Sequence, residues 1–173
     1  MTVEARARRI RLVLLDVDGV LTDGSIVLHG DSSESKTFHI RDGAAIVWAL
    51  RSGLTVGLLS ARESAPTLQR AAQLGIQIVS QGAASKAAEY ARITAALGVT
   101  DQEVAYMGDD LLDVAVLRQV GLAAVPADAA EEASACAHWA SSKPGGRGAV
   151  RELLELILKA QDRWDPLIAE LSS

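Results

Sequence analysis

Short apolar runs recur along the chain with stretches of helical length between them, and this alternation limits the fold more than any other feature. Leu12-Val13-Leu14-Leu15 reads as a buried strand ending at Asp16. Residues 54–59, 76–79, 104–107 and 121–125 repeat the pattern, and 138–140 suggests a short sixth strand. Between them 43–52, 64–74, 86–97 and 111–118 read as helices, with 149–163 as a closing one. Gly75, Gly98 and Gly121 stand where three of these helices should stop. Strands alternating with helices predict an α/β fold, a Rossmann-like three-layer sandwich around a mostly parallel sheet.

One segment departs from the rhythm. Ser25-Ile26-Val27-Leu28 and Lys36-Thr37-Phe38-His39-Ile40 flank the polar turn Gly30-Asp31-Ser32-Ser33, which predicts a protruding β-hairpin over about 25–40. No long insertion follows it, so the sequence has no room for a cap domain. The 173 residues suit a single domain, 1–173, with only 165–173 expected to fray.

Composition narrows the partners. Aromatic residues make up only 3%, so Ala, Val, Leu and Ile must build the core, and stacking platforms for single strands are not expected. A net charge of −5 would repel a phosphate backbone, so nucleic acid is not an expected partner. A small anion can still bind where the few cations converge. The lone Cys136 cannot form an internal disulfide and reads as a packed thiol in a reducing compartment. Residues 1–11 hold four arginines with no apolar signal segment after them. No run reaches the roughly 20 apolar residues of a membrane helix. The expectation is a soluble, cytoplasmic protein with no membrane partner.

In a parallel sheet, ligands bind beyond the carboxyl ends of the strands. The first strand is followed by Asp16-Val17-Asp18-Gly19, the second by Ser60-Ala61-Arg62, the third by Ser80-Gln81-Gly82 with Lys86 next, and the fourth by Gly108-Asp109-Asp110 with Asp113 a turn later. Carboxylates gathered at one point repel one another unless a cation neutralises them, and hard oxygen ligands suit Mg²⁺. A lysine and a hydroxyl opposite them could hold phosphoryl oxygens, and phosphoryl transfer asks mainly for positioning and charge neutralisation. Asp16 would attack phosphorus while Asp18, turned by Gly19, donates a proton to the leaving oxygen. Each piece alone is commonplace: an Asp-x-Asp in a loop, a helix N-cap at Ser60 or Asp110, a solvated lysine. All four in order, each after its own strand, are not.

These motifs resemble those of the haloacid dehalogenase superfamily, in its capless subclass. Within that subclass the hairpin, Ile40-Arg41-Asp42-Gly43, the stretch from Val104 to Leu111, and Gly145-Gly146-Arg147-Gly148 resemble the 3-deoxy-D-manno-octulosonate 8-phosphate phosphatases. The resemblance implies a Mg²⁺-dependent phosphatase of a small phosphorylated sugar acid, acting in lipopolysaccharide precursor synthesis through an aspartyl-phosphate. It implies Asp16 as nucleophile and Asp18 as acid/base. Mg²⁺ would sit on Asp16, the Asp18 carbonyl and Asp109, phosphate on Ser60 and Lys86, with Asp110 and Asp113 in support. It assigns Arg62 and Arg70 to the substrate, and the arginine at 62 favours an eight-carbon acid over the related nine-carbon ones. It also implies a homotetramer built on the hairpins, with the Gly145 segment reaching toward a neighbour. Ser60-Ala61 stands where Thr-Gly is usual, which keeps the hydroxyl.

Other readings fit less well. A receiver domain carries its acidic pair on the first strand and its phosphate acceptor on a middle one, the reverse of this order. A dinucleotide-binding protein needs Gly-x-Gly-x-x-Gly, which is absent. A dehalogenase has no use for Asp18. A catalytically silent assembly domain would be expected to have lost one of Asp16, Asp18, Lys86 or Asp109. His29, His39 and His138 lack ligand spacing and read as structural, and Trp48 and Trp164 as helix packing.

Overall fold

The computed structural model describes residues 1–172. Its main sheet runs β5 (Ile78–Ser80), β4 (Thr55–Leu59), β1 (Leu12–Leu15), β6 (Val104–Met107), β7 (Leu122–Val125) and β8 (Trp139–Ala140), and every neighbouring pair is parallel. Because side chains alternate across a strand, each run supplies two cores at once. Val13, Leu15, Val56, Leu58, Ala105, Met107, Leu122 and Ala124 face one side. Leu12, Leu14, Leu59, Val104, Tyr106, Ala123 and Val125 face the other. Burial on both sides explains why these strands are continuously apolar.

Helices cover both faces. On the first lie α1 (Val3–Ala7), α2 (Ile40–Arg51), α3 (Ala65–Leu74), α7 (Ala149–Ala160) and α8 (Trp164–Leu171). On the second lie α4 (Lys86–Leu97), α5 (Val114–Leu117) and α6 (Glu131–Ser134). The three layers match the expected sandwich. The hairpin is present but briefly paired: β2 (Val27–Leu28) meets β3 (Glu34–Ser35) through Val27↔Ser35 and Leu28↔Glu34. No helix among the described residues is long and apolar enough to cross a membrane.

Element boundaries differ from the sequence reading in several places: the second hairpin strand is Glu34–Ser35 and not 36–40, since Ile40 already opens α2, which was expected from 43, and β5 covers Ile78–Ser80 and not 76–79. Residues 111–118 divide into a 3₁₀ turn, Leu111–Asp113, and α5, because Asp110 and Asp113 cap the turn tightly. The closing helix ends at Ala160, not 163. The segment expected to fray is largely α8, held by the buried Leu167 and opened by Pro166 in its first turn, where a missing N–H costs nothing. Ser173 lies outside the described residues.

β1 lies between β4 and β6 with all carboxyl ends at one edge. Asp16, Ser60 and Gly108, each the residue after its strand, therefore meet at that edge.

Candidate active site

Asp16 leaves β1 buried, and one of its oxygens accepts the Val17 N–H at 2.7 Å. Its other oxygen meets the Lys86 ammonium at 2.8 Å. Lys86 opens α4 and is itself buried. Its three N–H donors have three acceptors: Asp16, Asp113 Oδ1 at 2.6 Å and the Tyr106 hydroxyl at 3.3 Å. Tyr106 in turn hydrogen-bonds Asp113 Oδ1. The second oxygen of Asp113 accepts the N–H groups of Asp109 and Asp110 at 3.0 and 3.1 Å. Asp113 is thus fully occupied in shaping the loop and aiming the lysine. Asp110 is exposed and caps the 3₁₀ turn through the Leu111 N–H.

Oxygens of Asp16, Asp109 and Asp113 lie within 4.8 Å of one another. Three carboxylates against one ammonium leave an excess of negative charge. Burial, reinforced by Asp16 and Asp113, pushes Asp109 up to about 7. Burial also pushes Asp16 up to about 6, with Lys86 opposing and Asp113 adding to the rise. Burial works against the charged form of Lys86, but Asp16 and Asp113 outweigh it and raise its pKa above the ordinary lysine value. Burial and then Asp113 hold the Tyr106 phenol well above its usual range, so it stays a neutral donor.

The cluster fits a hard divalent cation. Asp109 Oδ1 is buried without a hydrogen-bond partner. Beside it, Gly19 has φ +88°, and a Cβ there would fall on the Asp109 carboxylate, so only glycine keeps the space open. Asp16 and Asp109 are the available carboxylate donors, since Asp113 is already committed.

Asp18 turns to a separate side of the site. Its carboxylate lies 2.6 Å from the Lys36 ammonium and 3.8 Å from Arg62. Arg62 pairs with Glu34 at 3.0 Å, and Glu34 also accepts the Ser64 hydroxyl at 2.5 Å. Ser60 is buried at the end of β4, and its hydroxyl accepts the Arg62 N–H at 3.3 Å. Arg70 is not brought to the carboxylates. It stacks over Phe38 at 5.9 Å, presses on Gly43 and bonds Gln73, because α3 turns it toward the start of α2.

The other residues singled out in the sequence find partners within the chain. The Gly145 segment lies against its own chain: Gly146 donates to the Val20 carbonyl at 2.9 Å, and a Cβ on Gly145 would strike the Gly19 carbonyl. Asp42, from the Ile40–Gly43 stretch, accepts the Gly148 and Arg151 N–H groups at 3.1 and 2.8 Å and so caps α7. The three histidines have local partners, His29 with Ser35, His39 beside Asp42, and His138 with the Ala123 N–H. Trp48 and Trp164 pack edge to face at 6.3 Å with Arg151 over both. The sequence reading passed over Lys36, Glu34 and Tyr106. For Tyr106 the available signal was a phenol inside a buried strand, which needs a polar partner.

No protein-family model matches the chain. Among curated proteins it is 42% identical over 160 residues to the 3-deoxy-D-manno-octulosonate 8-phosphate phosphatase KdsC of Yersinia pestis, covering 92% of this chain and 86% of that one. It is 40% identical over 163 residues to the KdsC of Escherichia coli K12, covering 94% and 87%. A solved structure of the Yersinia pestis phosphatase superposes with a TM-score of 0.92 at 41% identity, over 94% of this chain and 88% of that one. The Moraxella catarrhalis phosphatase, solved with a magnesium ion, a phosphate ion and a KDO molecule, gives 0.95 at 36% identity over 98% and 97%.

Proposed function

Because this chain belongs to the family of 3-deoxy-D-manno-octulosonate 8-phosphate phosphatases, we propose that it hydrolyses that sugar-acid phosphate to the free acid and phosphate. The observation that carries the reading is the buried contact of Lys86 with Asp16, beside the partnerless oxygen of Asp109. Nucleophile, phosphate-binding cation and metal ligand fall on one spot. Mg²⁺, bound by Asp16, Asp109 and the Asp18 carbonyl, would neutralise the carboxylates and the phosphoryl charge.

The chain's own residues account for the rest. Asp16 attacks phosphorus, the P–O ester bond breaks, and Asp18 gives a proton to the departing sugar oxygen. Water then attacks the aspartyl-phosphate while Asp18 takes up its proton. Ser60 and Lys86 hold phosphoryl oxygens. Since every N–H of Lys86 already has an acceptor, an incoming oxygen must displace one. The Tyr106 hydroxyl is uncharged and the most distant at 3.3 Å, so it yields first. Arg62, beside Asp18, would face the sugar-acid carboxylate, with Arg70 further out on the flank of Phe38.

The same reading makes the whole chain one cytoplasmic domain in lipopolysaccharide precursor synthesis, assembled as a homotetramer. Val27 and Leu28, 56% and 76% exposed at the hairpin, support self-association there. A panel of phosphorylated sugars and sugar acids ranked by kcat/KM should place the eight-carbon acid first, and Asp16→Asn should abolish turnover. Undiminished turnover by Asp16→Asn with Mg²⁺ would rule out the covalent route.

A further inference from the structure

The hairpin turns Glu34 and Lys36 inward and Val27 and Leu28 outward. Residues two apart on an extended segment share a face. Glu34 in β3 and Lys36 just past it both turn toward the site, whereas Ser35 between them is exposed. The Lys36 side chain is 0% exposed, and its ammonium approaches Asp18 Oδ1 at 2.6 Å. Lysine is almost never fully buried unless paired, so the charge contact with Asp18, which is not a hydrogen bond, and the charge of Glu34 nearby keep Lys36 inside. A hairpin docked for stability alone would bury Val27 and Leu28 instead.

We infer that Lys36 is a positioning residue for Asp18. The hairpin reaches back over its own subunit's site and fixes the Asp18 carboxyl on the leaving-group side. Through Glu34 it holds Arg62 and Ser64 alongside. This rests on the reading of Asp18 as proton donor to the leaving oxygen.

Leaving groups separate the two claims. A sugar alkoxide needs a proton to depart, whereas p-nitrophenolate needs little help, and kcat/KM reports the steps up to ester cleavage. Lys36→Met should lower kcat/KM about 100-fold on the sugar phosphate and less than about 3-fold on p-nitrophenyl phosphate. In an Asp18→Asn background the same substitution should change neither value, because residues acting through one group are not additive. Unchanged Mg²⁺ affinity by calorimetry confirms that the variant is folded, and Lys36→Gln provides the same comparison should Lys36→Met fail to fold. Equal losses on both esters, or losses that multiply with Asp18→Asn, overturn the role of Lys36. If Asp18→Asn itself slows both esters alike, the proton-donor reading falls, and this inference with it.

Discussion

Asp109 has a buried oxygen without a hydrogen-bond partner, and its charge has a measurable consequence. The ordinary value of its carboxyl is 3.8, whereas burial and its carboxylate neighbours raise it to about 7 in the folded chain. Below about pH 4 both states hold the proton, so stability is fully present. As pH rises toward 7 the unfolded chain releases the proton and the folded one retains it, so stability is lost across that window. The melting temperature of the metal-free protein should therefore fall, relative to Asp109→Asn, as pH goes from about 5 to about 8. Saturating Mg²⁺ at the upper pH should reverse the order, since a ligand bound only by the folded state stabilises it. Parallel curves in a thermal-shift assay would contradict the assignment. The residues that end strands were legible because topology alone places them. Lys36 was not, since a single lysine in a polar hairpin looks solvated until the chain folds back. Tyr106 was hidden by the apolar run around it.

At the scale of elements, the Ile40–Gly43 stretch has a role in packing. Buried Asp42 stands in for the missing side-chain cap of α7, whose N-cap position is Gly148. Asp42→Ala should cost about 2 kcal/mol, because one buried and one partly buried N–H group lose their acceptor. Urea unfolding monitored by circular dichroism checks this, and a change below about 0.5 kcal/mol would remove the cap from the account. The strands of the main sheet were readable because burial on both faces leaves an unbroken apolar run. The two terminal helices were not. α1 is only five residues long with one buried position, too short for a period to emerge. α8 was taken for a loose end although Pro166 in its first turn was a start signal, because nothing in its sequence says that Leu167 finds a core to enter.

For the whole molecule, the proposed tetramer requires that a second copy cover the outward-facing Val27 and Leu28. Val27→Asp with Leu28→Asp should convert the proposed tetramer into monomers by light scattering, leaving Lys36 and Glu34 in place; an intact tetramer would move the contact elsewhere. The layered architecture was legible from the rhythm of runs, but the number of copies depends on a surface that one chain cannot complete. The glycine contacts described above carry a last consequence. Gly19 bears on Asp109, Gly108 on Asp113, and Gly145 and Gly146 on the turn from Gly19 to Asp23, each with no room for a methyl group. Three stretches of backbone are therefore keyed together like stones in an arch, and none can swing without dislodging the others. Movement that admits the sugar and releases the product is thus expected of the hairpin arm and not of these interlocked loops.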